Sequence, residues 1–512
     1  MANAANPNEV EMLDASLSNP SPISGIPPEI LINILLLSLE SPDWYRPSAS
    51  LTLMLVSKYW KKLVLGTPDI WAVIETTDID TVEVCMARSG QALLEVHIGH
   101  EPDADEPLTT ILAALWRIRR LALYVESGDD DDSASIEGFD EQWASPAPHL
   151  EDFDIHGVTL PRELFSGSAP PLRKFSVYRS FVHWDTFPDF PYLEELEIAS
   201  PDTPISLMTL LRKLQKSPHL KKLAIEEALG HPEPPDGLRR AELLELAVIE
   251  VIRECADLTA KLLNHLTIPE GARIQLEVRN ESQPTSHLHV TGALQRCRKP
   301  ASWLLRSLSI FADKGAVFSN VGFSFPHNTG DHVTQHERNH RVTFFRVDDA
   351  VAAATQILEY LALSRLESLD LAGNDIIHDV WMYPEPPFWT MLASLPCLQS
   401  LSLHHLYALG FAEYWTKDDV RAAYSRSTNP PFPSLLHLTY EEIRTMKNPA
   451  MFHKLESTLK YLNDTRGTSF TTMTVILQSR RGGLQEEASL NRLKSLVQTL
   501  EVKTILGLAQ MG

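Results

Sequence analysis

One degenerate pattern, L-x-x-L-x-L, recurs along most of the chain and constrains its fold more than any other feature. Each copy has apolar residues at positions i, i+3 and i+5. Side chains alternate between the two faces of a strand, so i+3 and i+5 share one face and i+2, i+4 and i+6 share the other. The leucine at i fills the turn into the strand. Ten copies occur: Leu93/Val96/Ile98, Ile118/Leu121/Leu123, Leu150/Phe153/Ile155, Leu172/Phe175/Val177, Leu193/Leu196/Ile198, Leu220/Leu223/Ile225, Leu305/Leu308/Ile310, Leu366/Leu369/Leu371, Leu398/Leu401/Leu403 and Leu435/Leu438/Tyr440.

Stretches typical of helices separate many of these strands. We expect helices at Ile205–Lys216, Leu238–Asp257, Ala350–Leu361 and Phe388–Ala393. A single strand–helix unit cannot bury its apolar face alone, so successive units must stack. We therefore predict an α/β fold in which a curved leucine-rich-repeat-like solenoid occupies residues 80–505. The repeat lengths are irregular, and ordinary strand alternation in unrelated α/β domains stays open as an alternative.

The outward positions of the strands predict a surface for a protein partner. In a stacked array these positions line one extended face, on which aromatic side chains such as Tyr178 and Phe311 are typical anchors. The alternative is a merely solvated face. The candidates are Tyr124, His156, Lys174, Tyr178, Glu197, Lys222, Glu226, Phe311, Asp370 and His404.

Charge and cysteine usage exclude several classes of protein. The formal net charge is −22, which disfavours binding to nucleic acids and to anionic membranes. The four cysteines are far apart and form no CxxC pair, as expected of a cytoplasmic or nuclear protein. We expect residues 1–20 to be a disordered tail without a secretory signal. Since no phosphate loop or nucleophile elbow is present, we expect no catalysis and no cofactor.

Residues 21–75 form a different, helical region. Proline and glutamate open its first helix favourably, and eight of the ten residues from Ile30 to Leu39 are apolar. We expect a second helix over Leu51–Val64, after a long link, Glu40–Ser50. A module of this size cannot bury a helix that is apolar on nearly every side. The first helix must therefore pack on the repeats or on another protein.

This region resembles an F-box, and the rest of the chain resembles the degenerate leucine-rich part of fungal F-box proteins. The matching residues are Ile26-Pro27-Pro28-Glu29-Ile30-Leu31 with Ile34-Leu35, then Val56-Ser57-Lys58-x-Trp60-x-x-Leu63, then Pro68-x-x-Trp71. The resemblance implies a subunit that binds a Skp-type adaptor, joins a cullin-type (SCF) ubiquitin ligase and captures a protein substrate. It implies these adaptor contacts: Pro27, Pro28, Glu29, Ile30, Leu31, Ile34, Leu35, Val56, Lys58 and Trp60.

Within that set we expect Pro28 and Leu31 to be the most accessible, and Trp60 and Trp71 to belong to the core of the module. The alternative function is a scaffold with a degenerate F-box that transfers no ubiquitin. The long link between the two helices is the sequence feature that favours this alternative.

Two further motifs have weaker interpretations. His336-Glu337-Arg338-Asn339-His340 matches the zinc-protease motif H-E-x-x-H, for which Glu359 is a conceivable third ligand. The segment is polar and is followed at once by the strand-like run Val342–Val347, so we expect a histidine-containing loop. Gly128–Asp140 contains the acidic run Asp129–Asp132, which we interpret as a solvated loop. Calcium binding is the alternative, although Ala134 and Asp140 stand where an EF-hand loop needs Gly and Glu.

Overall fold

The fold is α/β, with a large and mostly parallel sheet. The computed structural model describes residues 25–39, 46–100, 105–125, 140–230, 239–269, 272–279, 286–297, 307–314, 319–326, 339–347, 363, 366–373, 386–404, 406–426, 429–442, 449–477 and 484–504. The chain divides into two compact units, Met1–Phe190 and Pro191–Gly512, and the division falls inside the predicted repeat region. No helix in these described ranges has both the length and the apolar character to cross a bilayer.

The first unit begins with three helices and continues into a parallel sheet. Its helices are α1 (Pro28–Leu39), α2 (Arg46–Val56), α3 (Lys58–Gly66), α4 (Ile79–Ser89), α5 (Asp105–Leu112) and α6 (Asp140–Trp143). Its strands are β1 (Val73–Ile74), β2 (Leu94–His100), β3 (Ile118–Val125), β4 (Asp152–His156) and β5 (Lys174–Tyr178). Each strand pairs in parallel with the next along the chain.

The pairing of these strands aligns equivalent repeat positions. Phe153 of β4 pairs with Leu121 on one side and Phe175 on the other, and all three are buried. The rings of Phe153 and Phe175 stack with centroids 5.6 Å apart. The first repeat deviates: Leu93 is exposed, and Leu94 fills the turn instead, because the register shifts between Leu94 and Glu95.

The second unit contains the remaining elements. Its helices are α7 (Leu207–Leu214), α8 (Ala256–Asn264), α9 (Ser286–Cys297), α10 (Pro386–Ala393), α11 (Leu406–Tyr414), α12 (Asp418–Ser425), α13 (Pro449–Arg466) and α14 (Leu484–Lys494). Its strands are β6 (Glu195–Ala199), β7 (Ile205–Ser206), β8 (Lys222–Glu226), β9 (Leu229–Gly230), β10 (Ala241–Glu242), β11 (Val248–Cys255), β12 (Leu266–Thr267), β13 (Arg273–Arg279), β14 (Ser307–Lys314), β15 (Ser319–Pro326), β16 (Asn339–Val347), β17 (Ser368–Gly373), β18 (Ser400–His404), β19 (His437–Glu442), β20 (Phe470–Leu477) and β21 (Val497–Thr504).

The main sheet of this unit has two parallel parts joined by an antiparallel insertion. The first part runs β6–β8–β11–β13–β16, and the second runs β14–β17–β18–β19–β20–β21. Strand β15 pairs antiparallel with both β14 and β16, so it alone reverses direction among these strands. The run Val342–Val347, which the sequence indicated as strand-like, lies in β16.

All ten predicted repeats coincide with strands, but several further strands and several helices were missed or misassigned. The helix expected at Leu238–Asp257 is wrong: β10 and β11 lie there, and α8 begins only at Ala256. The run from Val248 to Ile252 is rich in β-branched residues, which favour strands. Its buried Ile249 and Val251 follow Leu246 at the repeat spacing. Residues 350–361, where we predicted another helix, lie outside the described residues.

Five successive repeats have a left-handed residue seven positions after the first apolar residue of the repeat; it follows the end of the strand in four of them and is a bulge within β11 in the fifth. These residues have φ between +42° and +69°: Gly157, Arg179, Ser200, Glu227 and Arg253. The turn directs the backbone N–H of Gly157 to the carbonyl oxygen of Tyr178 on the next strand, at 2.9 Å. The N–H of Glu227 likewise reaches the carbonyl oxygen of Ile252, at 3.1 Å. Four of the five residues are not glycine, the residue that usually indicates a left-handed conformation, so the sequence does not predict these turns.

Candidate functional site

Helix α1 has one buried apolar face and one exposed apolar face. It starts just after Pro27, whose carbonyl oxygen accepts a hydrogen bond from the N–H of Leu31 at 3.0 Å. Leu31 and Leu35, one turn apart, are 2% and 1% exposed. A different side of the helix bears an apolar row whose side chains are about half exposed: Ile30 51%, Ile34 47% and Leu37 66%. The i, i+4, i+7 spacing of this row places it along one side of the helix.

Helix α2 adds further exposed apolar side chains. Leu51 and Leu55, one turn apart, are exposed, and so is Val56 at the end of the helix. Of the fourteen large hydrophobic side chains exposed in the described residues, six lie between residues 30 and 56. Isolated exposed apolar residues are normal, whereas such a concentration is typical of a binding surface.

The second predicted helix is broken in two at Ser57. The Ser57 side chain caps α3 and accepts a hydrogen bond from the N–H of Trp60 at 3.1 Å. Serine favours such a cap over a helix interior, so continuous helix over Leu51–Val64 was wrong. The preceding helix begins at Arg46, so the predicted link of Glu40–Ser50 is wrong over residues 46–50, while residues 40–45 lie outside the described residues.

The side chain of Trp71 is hydrogen-bonded to helix α3. It is buried, and its Nε1–H donates to the carbonyl oxygen of Val64 at 2.8 Å. The guanidinium of Arg88 lies 5.0 Å from the centre of its ring. Trp71 is therefore a core residue, as predicted, while Trp60 is half-buried.

The predicted adaptor contacts divide into accessible and inaccessible residues. Those exposed are Pro27, Pro28, Glu29, Ile30, Ile34, Val56 and Lys58. Leu31 and Leu35 are buried within the chain, so the expectation that Leu31 is accessible was wrong. Leu37, Leu51 and Leu55 were missed. Leu37 follows Ile30 and Ile34 at helical spacing, and this is the sequence signal that would have found it.

Three rows of side chains run across strands β3, β4 and β5 on the polar face of the first sheet. Each row contains the residues that occupy one position of the repeat. Strand pairing aligns Arg120 with Asp152 and Lys174, Ala122 with Asp154 and Ser176, and Tyr124 with His156 and Tyr178. The ring centroids of Tyr124 and His156 are 6.3 Å apart, and those of His156 and Tyr178 are 4.4 Å apart, both edge-to-face. The structure thus brings four predicted face residues together: Tyr124, His156, Lys174 and Tyr178.

Hydrogen bonds and charges connect residues of neighbouring rows and of neighbouring strands. The Tyr124 hydroxyl donates to Asp154 Oδ2 at 3.1 Å, and burial together with this carboxylate raises the pKa of Tyr124 to about 12. Burial also raises the pKa of Asp152, an effect that the positive charges of Lys174 and Arg120 oppose. Asp154 takes part in no ion pair within the part of the chain that the structure describes.

The polar face of the second unit is built mainly from ion pairs between neighbouring strands. Lys222 Nζ lies 3.2 Å from Glu197 Oε2, and Glu226 Oε1 lies 3.2 Å from Arg253 Nη1. These predicted candidates hold one another rather than project freely. Phe311 lies in β14, where its backbone pairs with Gly322 and Ala372.

His404 is held between two carboxylates on adjacent strands. Its Nε2 lies 2.9 Å from Asp370 Oδ1, and its Nδ1 lies 2.5 Å from Glu441 Oε2. Burial lowers the pKa of His404, but hydrogen bonds and charges of the two carboxylates outweigh it and raise the pKa above its ordinary value. Glu441 was missed, although it occupies the same repeat position as His404 on the next strand.

The described part of the zinc-protease motif, Asn339 and His340, forms a strand. His340 lies in β16, at a position paired with Phe325, so the second histidine of the motif is in a strand. His336, Glu337 and Glu359 lie outside the described residues, as does the predicted loop 128–139. Among the residues that the structure describes, no group of three or more histidine, cysteine or acidic side chains could hold a metal ion.

Comparison of the chain with models of known protein families and with curated protein sequences gives no match.

Proposed function

We propose that this protein is the substrate-recognition subunit of a cullin-type (SCF) ubiquitin ligase, with residues 21–75 as an F-box. The observation that supports this most is the exposed apolar row on α1, Ile30, Ile34 and Leu37, directly after the Pro27-Pro28-Glu29 start. A row of half-exposed aliphatic side chains at i, i+4 and i+7 suits a groove on a partner. Pro28, Glu29 and Lys58 flank this apolar surface with exposed polar or rigid groups.

In this proposal the mechanism is proximity. The N-terminal helices bind a Skp-type adaptor, and through it a cullin, while the strand repeats form a solenoid whose polar face holds a protein substrate. Holding the substrate beside a ubiquitin-charged enzyme raises its effective concentration there. The protein itself then needs no catalytic residue and no cofactor.

The scaffold alternative predicts different surroundings for α1. If the helix served only the fold, the segment Ile30–Leu39 would be expected to pack against other parts of the chain on all sides. Burial of Leu31 and Leu35 fits that alternative, but the row Ile30, Ile34 and Leu37 is about half exposed. The exposed row therefore favours adaptor binding over the scaffold.

A binding measurement with a purified Skp-type adaptor tests the proposal. We expect the wild type to bind and Ile34→Ser/Leu37→Ser to bind about tenfold to a hundredfold more weakly, because buried apolar anchors dominate such interfaces. Leu93→Ser is the matched control, since Leu93 is an exposed leucine elsewhere in the same unit. Leu31→Ala is avoided, because loss of a buried leucine would confuse folding with binding.

The outcomes separate the two functions. Selective loss in the double variant supports the ligase function. No adaptor binding by folded wild-type protein contradicts it and favours the scaffold.

A further inference from the structure

Strand β21 is an open edge of the main sheet in the second unit. It pairs in parallel with β20 and with no other strand among the residues that the structure describes. Every second residue of an edge strand directs its N–H and C=O groups away from the sheet, where another strand can pair with them. The edge strand β1 of the first unit differs, because it is two residues long and its side chains, Val73 and Ile74, are buried. The long edge at β21 is the one that a further strand could extend.

The apolar pattern of the repeats continues into β21, but its last position is not covered. Val497, Leu500 and Val502 stand at i, i+3 and i+5 of this strand. Val502 pairs with Val475 of β20, which is 0% exposed because it has a strand on each side, whereas Val502 is 44% exposed. The last apolar row of a repeat array needs a cap or a neighbouring surface. Val502 is the end of such a row and is open to solvent.

Two residues of opposite charge flank Val502 on the polar face of the same strand. Lys503 Nζ lies 3.9 Å from Glu501 Oε2, and the two side chains are 65% and 51% exposed. Glu501 also accepts a hydrogen bond from the Thr474 hydroxyl at 3.3 Å. Ion pairs this exposed contribute little to stability, so both charges can be shared with a partner at little cost.

This order of charges is complementary to itself when the strand is turned around. In an antiparallel pair with a two-fold axis at Val502, each Glu501 lies opposite Lys503 of the second copy, and the two Val502 side chains lie opposite each other. The two nearest registers that keep the apolar faces on one side would instead place Glu501 or Lys503 opposite its own copy. Like charges directly opposite each other are destabilising, so the charges select the register at Val502.

We propose that β21 pairs edge to edge with β21 of a second copy of this chain, antiparallel and centred on Val502. The main sheet then continues from one copy into the other, and the two Val502 side chains cover each other. A single strand pair is smaller than the interface of a stable dimer, and the net charge of −22 opposes association. We therefore expect a weak dimer, with a dissociation constant on the order of 10–100 µM. This inference depends neither on adaptor binding nor on the polar face of the sheet.

Sedimentation velocity of the full-length chain tests the proposal. The protein concentration is varied from about 5 to about 500 µM, because dimerisation depends on concentration, at about 0.15 M salt, where the Debye length is about 8 Å. Glu501→Lys and Lys503→Glu should each weaken the dimer about fivefold or more, because the two-fold axis creates two contacts between like charges. An equimolar mixture of the two variants should associate about as tightly as the wild type, because every lysine then lies opposite a glutamate.

Lys460→Glu is the matched control for Lys503→Glu, because it makes the same change of charge at an exposed position on α13 of the same unit. It should leave the dissociation constant nearly unchanged. Val502→Ser should weaken the dimer about tenfold, because it removes the apolar contact at the axis. Thermal melting checks that each variant folds, and the mixture of charge variants decides alone if Val502→Ser does not.

Three outcomes would overturn the proposal. A wild type that stays monomeric over the whole concentration range excludes pairing with a second copy and leaves the edge to some other segment. Equal weakening by Lys460→Glu and Lys503→Glu would mean that only net charge matters. Failure of the mixture to recover would exclude the register at Val502. No adaptor is present, so none of these outcomes changes the test of the ligase function.

Discussion

Helix α1 and the repeat strands contain similar apolar residues, but those of the strands are buried and several of those of α1 are exposed to solvent. Leu401 of β18 lies between Leu369 and Leu438 on the adjacent strands, and all three are buried. Ile34 and Leu37 of α1 are about half exposed or more. In a parallel sheet of repeats, equivalent residues lie side by side on neighbouring strands. The apolar side chain of one repeat is therefore covered by the equivalent side chains of the repeats on either side. Helix α1 has no such repeated equivalents beside it, and the side that bears Ile30, Ile34 and Leu37 stays exposed.

This difference separates apolar residues that stabilise the fold from those that are available to a partner. A residue whose repeat equivalents lie in register beside it is part of the core. A residue in the same chain without such equivalents can be exposed at little cost in free energy, and a concentration of such residues is typical of a binding surface. Four predictions follow, and they are ordered by the size of the expected effect on stability.

The largest effect is expected for a core leucine of the repeats. Leu401→Ala should lower the free energy of unfolding by about 2–5 kcal/mol, because it removes buried methyl groups and leaves a cavity. Urea unfolding followed by tryptophan fluorescence measures the change, since Trp389 and Trp415 are buried in the same unit. Leu436→Ala, at an exposed leucine in the turn before β19, is the control and should change it by about 0.5 kcal/mol or less. A cost below about 1 kcal/mol for Leu401→Ala would contradict the buried register.

The left-handed turns after the strands give the second effect, with opposite signs at equivalent positions. Gly157→Ala should destabilise by about 2 kcal/mol or more, because φ is +69° and the new Cβ would collide with the carbonyl oxygen of Val125. Ser200→Gly should instead stabilise by up to about 1 kcal/mol, because it relieves the strain of a serine at φ +44°. Melting temperatures of the two variants measure both effects, and a shift in the same direction for both would show that the turns are not equivalent.

The third effect depends on pH and arises at His404. Its pKa is raised in the folded state above the ordinary value of 6.5, so its contribution to stability is complete below about pH 6.5. The contribution is lost as the pH rises through the folded-state pKa, since the neutral ring pairs less well with Asp370 and Glu441. We expect the melting temperature to fall over this range in the wild type and to fall less in His404→Asn. Identical pH profiles would exclude a charged His404 between the carboxylates.

The sequence was informative where apolar residues recur at a fixed spacing. An apolar residue at the start of each repeat, as in Ile118 and Leu398, was enough to locate ten strands and their buried face. Strands β11 and β20 were missed, although Leu246 and Phe470 begin the same apolar spacing and are buried.

Other features were hidden because they depend on contacts between repeats. The pairing of His404 with Glu441 needs the register of two strands, which no local pattern encodes. The turn residues Arg179 and Ser200 adopt positive φ without being glycine. At Ser200 the backbone N–H donates to the carbonyl oxygen of Glu226 on the neighbouring strand, and this contact offsets part of the strain. On α1, the sequence identified an apolar helix but not which side would be covered, because Leu31 and Ile30 differ only in their direction toward α2 and α3.

The smallest effect on stability is expected at the exposed row of α1, and it tests the comparison most directly. Leu37→Ser should change the melting temperature by no more than about 1–2 °C, because the side chain is already 66% exposed and little further apolar area changes its surroundings. Leu35→Ser, two residues away and buried, should lower the melting temperature clearly. Binding of a hydrophobic dye to the folded protein should decrease in Leu37→Ser, because the dye reports exposed apolar surface. Equal destabilisation by the two variants would mean that the outer face of α1 belongs to the core, and that the apolar residues of the helix and of the repeats do not differ in role.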